Sequence, residues 1–336
     1  MKLFYTIFNR LLRRGITIIY FIMLNMKTNQ SRRDFLRISA VGAIGAMAVS
    51  QMSCKTGTRP APASVDPVLT GIGLQLYTIR DSMTADLPGS LKRVADMGYK
   101  YLELASYADG KFYGVEPGEF KKIVSDLGME IISSHTKVEA EGITLENAKK
   151  MAEDHVKLGV KYCVQPWVVE EARTTVASYQ KMMADWNKVG AIMKESGLQF
   201  GYHNHNFEFD TVEGKVPYYD ILLPELDKEL VTMELDLFWA IKAGQNPVEM
   251  FKKYPGRFQL FHMKDMFTSE PPFYTTTGVA DFAPVGAGVV NFKEILAAKD
   301  IAGMKYMFVE EDKSREDKPF DDIQTGITNL KTKILV

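Results

Sequence analysis

Residues 198–210 read L-Q-F-G-Y-H-N-H-N-F-E-F-D, a short apolar strand pattern that runs directly into metal-capable side chains. His203 and His205 stand two apart. On a strand such residues point to the same face, so both imidazoles can look into one site, with Glu208 following in the next loop. Three later strand-like stretches also end in a carboxylate or a histidine, at Asp236, His262 and Glu310. One site fed by four strand ends is the organising expectation; a polar loop with surface histidines is the plain alternative. Two nitrogen and two carboxylate donors suit one divalent ion, Mn²⁺, Fe²⁺, Co²⁺ or Zn²⁺, and leave positions open for substrate oxygens. Mg²⁺ suits two imidazoles less well.

Such a site needs a scaffold that gathers distant strand ends. From residue 71 onward strand-like and helix-like stretches alternate without a second composition break. Strands are expected at 71–78, 99–105, 129–135, 160–166, 198–203, 230–236, 258–263 and 305–310. Helices are expected at 85–97, 117–127, 144–158, 174–195, 217–227, 246–254, 291–298 and 320–330. Eight strand–helix units in succession favour a parallel sheet, and closure into a single (β/α)8 TIM barrel is the common solution at this count and length. An open doubly wound sheet is the alternative. Against it, the first strand runs into Y-T-I-R-D-S rather than a Gly-rich phosphate turn.

In such a barrel the C-terminal strand ends converge on one mouth. Glu103, His135, His203 with His205, Asp236, His262 with Lys264 and Asp265, and Glu310 with Glu311 all fall there. Four of the five histidines lie at these ends, and His155, in a helix stretch, is expected at the surface. Tyr77, Tyr107, Trp167 and Trp239 are candidate mouth aromatics. Glu311, pointing opposite to Glu310, reads as structural. The loop 278–289 is long enough for a lid.

Composition narrows the partners. The chain of 336 residues carries 41 Lys+Arg against 42 Asp+Glu, which gives no electrostatic footprint for nucleic acid. Two cysteines, Cys54 and Cys163, make no disulfide framework. Cys163, in K-Y-C-V-Q-P, alternates like a small buried strand residue. Nothing in the sequence sets the oligomeric state.

The N-terminal region reads as an export signal. Residues 31–36 are S-R-R-D-F-L, followed by an Ala/Gly-rich apolar run at 38–49 that is too short for a standard membrane span. This resembles a twin-arginine signal, and Cys54 after Ser53 resembles a lipoprotein cleavage site, so membrane attachment through a lipidated Cys54 is one expectation. Met26 opens a normal signal-peptide start, which makes 1–25 a start-site artefact or an extra segment. The expected divisions are therefore 1–25, a signal at 26–54, a Pro/Ala/Thr/Ser-rich linker at 55–70 and the barrel at 71–336. The expected location is periplasmic or membrane-anchored.

Several motifs carry a family resemblance. They are Gln75-Leu76-Tyr77, the 203–209 stretch, Glu234-Leu235-Asp236 with Trp239, His262-Met263-Lys264-Asp265, Gly286-x-Gly288 before Val290-Asn291-Phe292, and Phe308-Val309-Glu310. Together they resemble the xylose-isomerase-like barrel family of sugar phosphate isomerases and epimerases. The resemblance implies a single divalent metal on His203, Asp236, His262 and Glu310. His203 stands where many ketose epimerases of the family have glutamate, which shifts the expectation toward the inosose-dehydratase side or toward relatives acting on 3-keto sugars.

The chemistry implied is proton transfer next to a carbonyl. A metal stabilises the developing enediolate, and a positioned carboxylate or imidazole takes the proton. Returning the proton isomerises or epimerises; losing a β-substituent makes a dehydratase or lyase. His205, Glu310 and His135 are the acid/base candidates, and Glu103, Glu208, Lys264 and Trp239 are the substrate-contact candidates. A small carbohydrate, without a phosphate-binding loop, is the expected substrate. Other readings are a phosphodiesterase of the endonuclease IV type, which would need more His and acidic ligands and a basic face, and a catalytically inactive sugar-binding barrel.

Overall fold

The computed structural model describes residues 71–136, 142–214, 216–268, 272–276, 278–279 and 281–336. The expected signal, the linker and Cys54 lie outside the described residues. Eight parallel strands close into a barrel: β1 Gly73–Gln75, β2 Tyr101–Leu104, β3 Glu130–His135, β4 Tyr162–Gln165, β5 Gln199–His203, β6 Val231–Asp236, β7 Phe258–Met263 and β8 Tyr306–Val309. Each pairs with its neighbour in sequence, and β8 closes on β1 through Gly73↔Phe308. The single-barrel expectation holds.

Helices follow the strands as the 3.6-residue pattern predicts: α1 Leu87–Asp96, α2 Pro117–Asp126, α3 Ala148–Leu158, α4 Val176–Glu195, α5 Tyr218–Glu225, α6 Pro247–Lys253, α7 Phe292–Ala297 and α8 Pro319–Asn329. Their starts are chemically marked. Thr175 and Ser178 cap α4 reciprocally, and the Asn246 side chain accepts from the N–H groups of Val248 and Glu249 just before Pro247 opens α6. The largest apolar core fills the space between helices and barrel, with Leu74, Phe200, Met233 and Phe261 facing outward from their strands.

Inside the barrel a smaller apolar plug of Ile132, Tyr162, Val164, Leu260, Tyr306 and Phe308 occupies the lower layers. A strand returns to the same face every second residue. Two residues beyond Leu260 and Phe308 come His262 and Glu310, and two beyond Tyr101 comes Glu103. The inward face thus changes from apolar to ionisable within one step, all at the C-terminal end of the sheet. That is the elementary reason why these side chains meet.

Some local structure departs from expectation. The first strand is shorter than 71–78, because the Gln75 side chain accepts the Tyr77 N–H and turns 76–79 into a 3₁₀ helix. A short helix, Leu237–Lys242, springs directly from β6, and small antiparallel pairs form at Tyr107–Phe112, Thr211–Pro217 and between Asp265–Met266 and Phe282–Ala283. His155 is fully buried rather than at the surface. Its Nδ1 faces the Met151 carbonyl at 2.7 Å and its Nε2 the Thr136 hydroxyl at 2.7 Å, so two local polar partners made the interior habitable. Cys163 is a buried core residue as expected, in contact with Thr136.

Asp265 organises the return from β7. Its carboxylate accepts the backbone N–H groups of Met266, Gly286, Gly288 and Val290 at 2.8–3.1 Å. This explains the G-x-G spacing physically. A Cβ on Gly288 would lie 2.1 Å from the Met266 carbonyl oxygen and 2.4 Å from the Asp265 carboxylate, and Gly286 sits at φ +74°.

Candidate metal and sugar site

The polar ends of six strands form one buried cluster. His135, His203 and His262 pack ring on ring, with centroids 4.5–5.0 Å apart. Behind them lie two carboxylates. Glu103 accepts from Gln75 Nε2 at 2.9 Å and stands 2.6 Å from His262 Nε2, while Glu234 stands 2.5 Å from His135 Nε2 and 3.2 Å from His203 Nδ1. In front, His262 Nδ1 is 2.7 Å from Glu310 and 3.8 Å from Asp236 Oδ2, and His203 Nε2 is 3.8 Å from the same Asp236 oxygen. The Lys264 ammonium bridges Asp236 at 3.0 Å, Glu310 at 2.7 Å and Asp312 at 2.8 Å. The two oxygens of Asp236 serve different ends. Oδ1 accepts from Trp239 N and caps the short helix, and Oδ2 faces the cluster.

Burial sets the protonation directions of some groups, and neighbouring charges override it at others. Burial drives His203 and His205 well below the ordinary imidazole range, with the charges of His262 and Lys264, respectively, adding to it. The His262 imidazole goes well up despite burial, because Glu310 and Glu234 face it. Glu310 goes well down despite burial, because His262 and Lys264 hold its charge. Burial pushes Glu234 up to about 7, and the Glu103 charge adds to it. Burial likewise pushes Asp312 up to about 6.

Two overlapping donor sets have ligand atoms close enough to share an ion. One is His135, His203, Glu234 and His262; the other is Asp236, His262 and Glu310. They differ in access. A cavity of about 440 Å³ is walled by His135, His203, His205, Lys264, Glu310 and Trp239, together with Tyr77 and Trp167, whereas Glu103, Glu234 and His262 lie behind that wall. The residues fit a divalent ion on their own chemistry. Five carboxylates crowd three imidazoles and a single lysine, and Glu103 Oε1 and Glu234 Oε1 are buried without a hydrogen-bond partner. Moreover, the rear nitrogens of His203 and His262 each face a carboxylate, the arrangement that orients metal-bound histidines.

The expected residues therefore sort by position. His135, His203, His205, Lys264, Trp239 and Glu310 line the cavity, and behind them Asp236 stands 3.8 Å from His203 and His262 stands 2.7 Å from Glu310. Glu103 stands behind His262 rather than in the cavity wall. Glu208 is fully buried and spent on structure, accepting from the Tyr202 hydroxyl and, at 2.8 Å, from the His205 N–H, so it props the His205 loop. Tyr107 points away from the mouth and donates to Asp154 at 2.8 Å. Glu234 and Asp312 were not expected in the site. Glu234 was legible in principle, since it precedes Asp236 by two on one strand and must share its face; Asp312 sits in a loop, where no periodicity speaks.

Residues 91–333 match the profile of the xylose isomerase-like TIM barrel, and the chain belongs to that family. Among curated relatives it is 24% identical over 237 residues to the inosose dehydratase of Geobacillus kaustophilus, which covers 62% of this chain and 73% of that protein. Among solved structures it is similar to a sugar phosphate isomerase/epimerase from Parabacteroides distasonis, with 30% identity, TM-score 0.66, and coverage of 79% of this chain and 99% of that one. The IOLI protein crystallised with a zinc atom shares the fold, with 20% identity, TM-score 0.62, and coverage of 78% and 97%. The inosose dehydratase and the isomerase/epimerase are enzymes, and this chain is an enzyme of that family.

Proposed function

We propose that the chain is a divalent-metal-dependent isomerase or epimerase that moves a proton next to a carbonyl of a sugar or keto-sugar. The observation that carries this reading is the convergence of His203, Asp236, His262 and Glu310, of which His203 and Glu310 wall a cavity that also holds His205. These four would hold the ion, here Mn²⁺, Fe²⁺, Co²⁺ or Zn²⁺. When bound, it supplies a Lewis acid toward a carbonyl and a neighbouring hydroxyl.

The protein's own groups handle the protons. Burial keeps the His205 imidazole neutral, and its Nδ1 has no partner among the described residues, so it is available as a base. Glu310, held ionised by His262 and Lys264, is the second acid/base candidate. Glu103 and Glu234 shift His135 toward its protonated form, which suits it to donate rather than accept. Lys264 and Trp239 flank the space where hydroxyls would lie.

A dehydratase or lyase acting on an inosose-like or 3-keto sugar is the second reading. The imidazole of His203 in a position where many ketose epimerases of the family carry glutamate favours it, as does the similarity to inosose dehydratases. Both readings share the first proton abstraction. Metal quantification on protein from residue 71 onward, then NMR of candidate sugars in D₂O, separates them. Deuterium at a carbon beside a carbonyl supports isomerisation, and loss of a substituent supports elimination. Unchanged metal content in both Asp236→Ala and His262→Ala would sink the site assignment.

The S-R-R-D-F-L sequence and the apolar run after it support export through the twin-arginine route to the periplasm, with Cys54 as a candidate lipid anchor. Among the described residues no helix is long and apolar enough to cross a membrane.

A further inference from the structure

A second cavity of about 470 Å³ adjoins the reaction cavity across Trp167 and Thr276, which line both. Each compartment alone has the size of a small-molecule site. We propose that the second compartment is a sugar subsite, so that the substrate is a glycoside whose reacting ring lies beside His205 and whose neighbouring ring lies between Trp167, Tyr218 and Tyr274. This rests on the sugar reading of the metal site and deepens it.

The lining has the two features a pyranose needs, apolar faces for its C–H surface and fixed polar groups for its rim of hydroxyls. The aromatic side is held in place. Trp167 packs edge to face against His205 and Phe207 at 4.6 and 5.0 Å, and Tyr218 stacks on Tyr179 at 4.2 Å while donating its hydroxyl to the Arg173 carbonyl at 2.7 Å. Tyr274 is 38% exposed on the open side. On the polar side, Arg173 lies 3.6 Å over the Phe207 ring, and its Nε is buried without a hydrogen-bond partner. Glu170 and Asp210 add acceptors. A flat apolar group would use the aromatics and leave these charged groups unanswered; a second sugar ring uses both. Because Trp167 touches His205 and walls both compartments, occupancy of the outer one also fixes the pose of the inner ring.

Titration calorimetry on the metal-loaded protein tests this with methyl β-glucoside, cellobiose, maltose and phenyl β-glucoside as probes. One of the disaccharides is expected to bind about tenfold tighter than the methyl glucoside, a difference worth roughly one good aromatic contact. Tyr274→Ala and, independently, Arg173→Gln are expected to reduce that ratio about fivefold or more, with unchanged melting temperatures certifying the fold. Equal affinities for the methyl glucoside and both disaccharides overturn the subsite, as does a ratio that neither variant moves. Tightest binding by the phenyl glucoside overturns it in favour of an aromatic aglycone. If no probe binds, the subsite falls too; whether the metal-site reading falls with it is read separately, from metal content and deuterium exchange.

Discussion

Two imidazoles of the site are braced by carboxylates: Glu103 holds His262 at 2.6 Å and Glu234 holds His203 at 3.2 Å. A carboxylate behind a liganding histidine fixes its tautomer and raises its basicity. Glu103→Gln keeps shape and removes the charge, so it is expected to weaken metal binding about 10–100-fold, measured by competition with a fluorescent chelator. His155 makes a different residue-scale prediction. Burial lowers its pKa from 6.5 to about 4, so between those values the unfolded chain binds a proton that the folded one refuses. The stability it contributes is complete above about pH 6.5 and lost as pH falls to about 4, on the order of 3 kcal/mol at most. Urea denaturation at pH 7 and pH 4.5 should show that loss, and His155→Gln should flatten it. The period-two rule made His203 and His205 readable in the sequence. His155, read on a helix, was expected at the surface instead, because an amphipathic helix hides which polar residue faces inward until its partners, here Thr136 and the Met151 carbonyl, are known.

At the scale of elements, the strand and helix limits read from apolar periodicity fall within a few residues of those observed, since each stretch buries one continuous face against the barrel. What periodicity could not reach were the two-residue hairpins and the loop from β7 to α7, whose shape depends on hydrogen bonds across distant sequence. Asp265 is the case in point. It was legible only as a neighbour of Lys264, yet it satisfies four backbone N–H groups. Asp265→Ala would strand those donors in a half-buried loop, and a loss of about 2 kcal/mol is expected by chemical denaturation. Gly288→Ala should be comparably harmful, because the new methyl has no space.

For the molecule as a whole, closure of the sheet was expected from eight strand–helix units, and the ring of parallel pairings bears it out. An ion held by the folded site and not by the unfolded chain stabilises the fold by mass action. Chelation with dipicolinate should therefore lower the melting temperature, by an amount equivalent to about 2.7 kcal/mol if the ion had been present at a hundredfold over its Kd. Asp236→Ala, once purified, should melt at one temperature with or without the chelator. The β1–β8 pairing that completes the barrel, Gly73↔Phe308, has a wider meaning. The donors on β5, β6 and β7 and just beyond β8 form an arc ordered by hydrogen bonding between neighbours, and the ring itself has no first member. Connectivity is thus separable from function here: the same constellation would arise from a gene opened at one surface turn and rejoined at its ends, since the sheet registers who stands beside whom and not who is synthesised first.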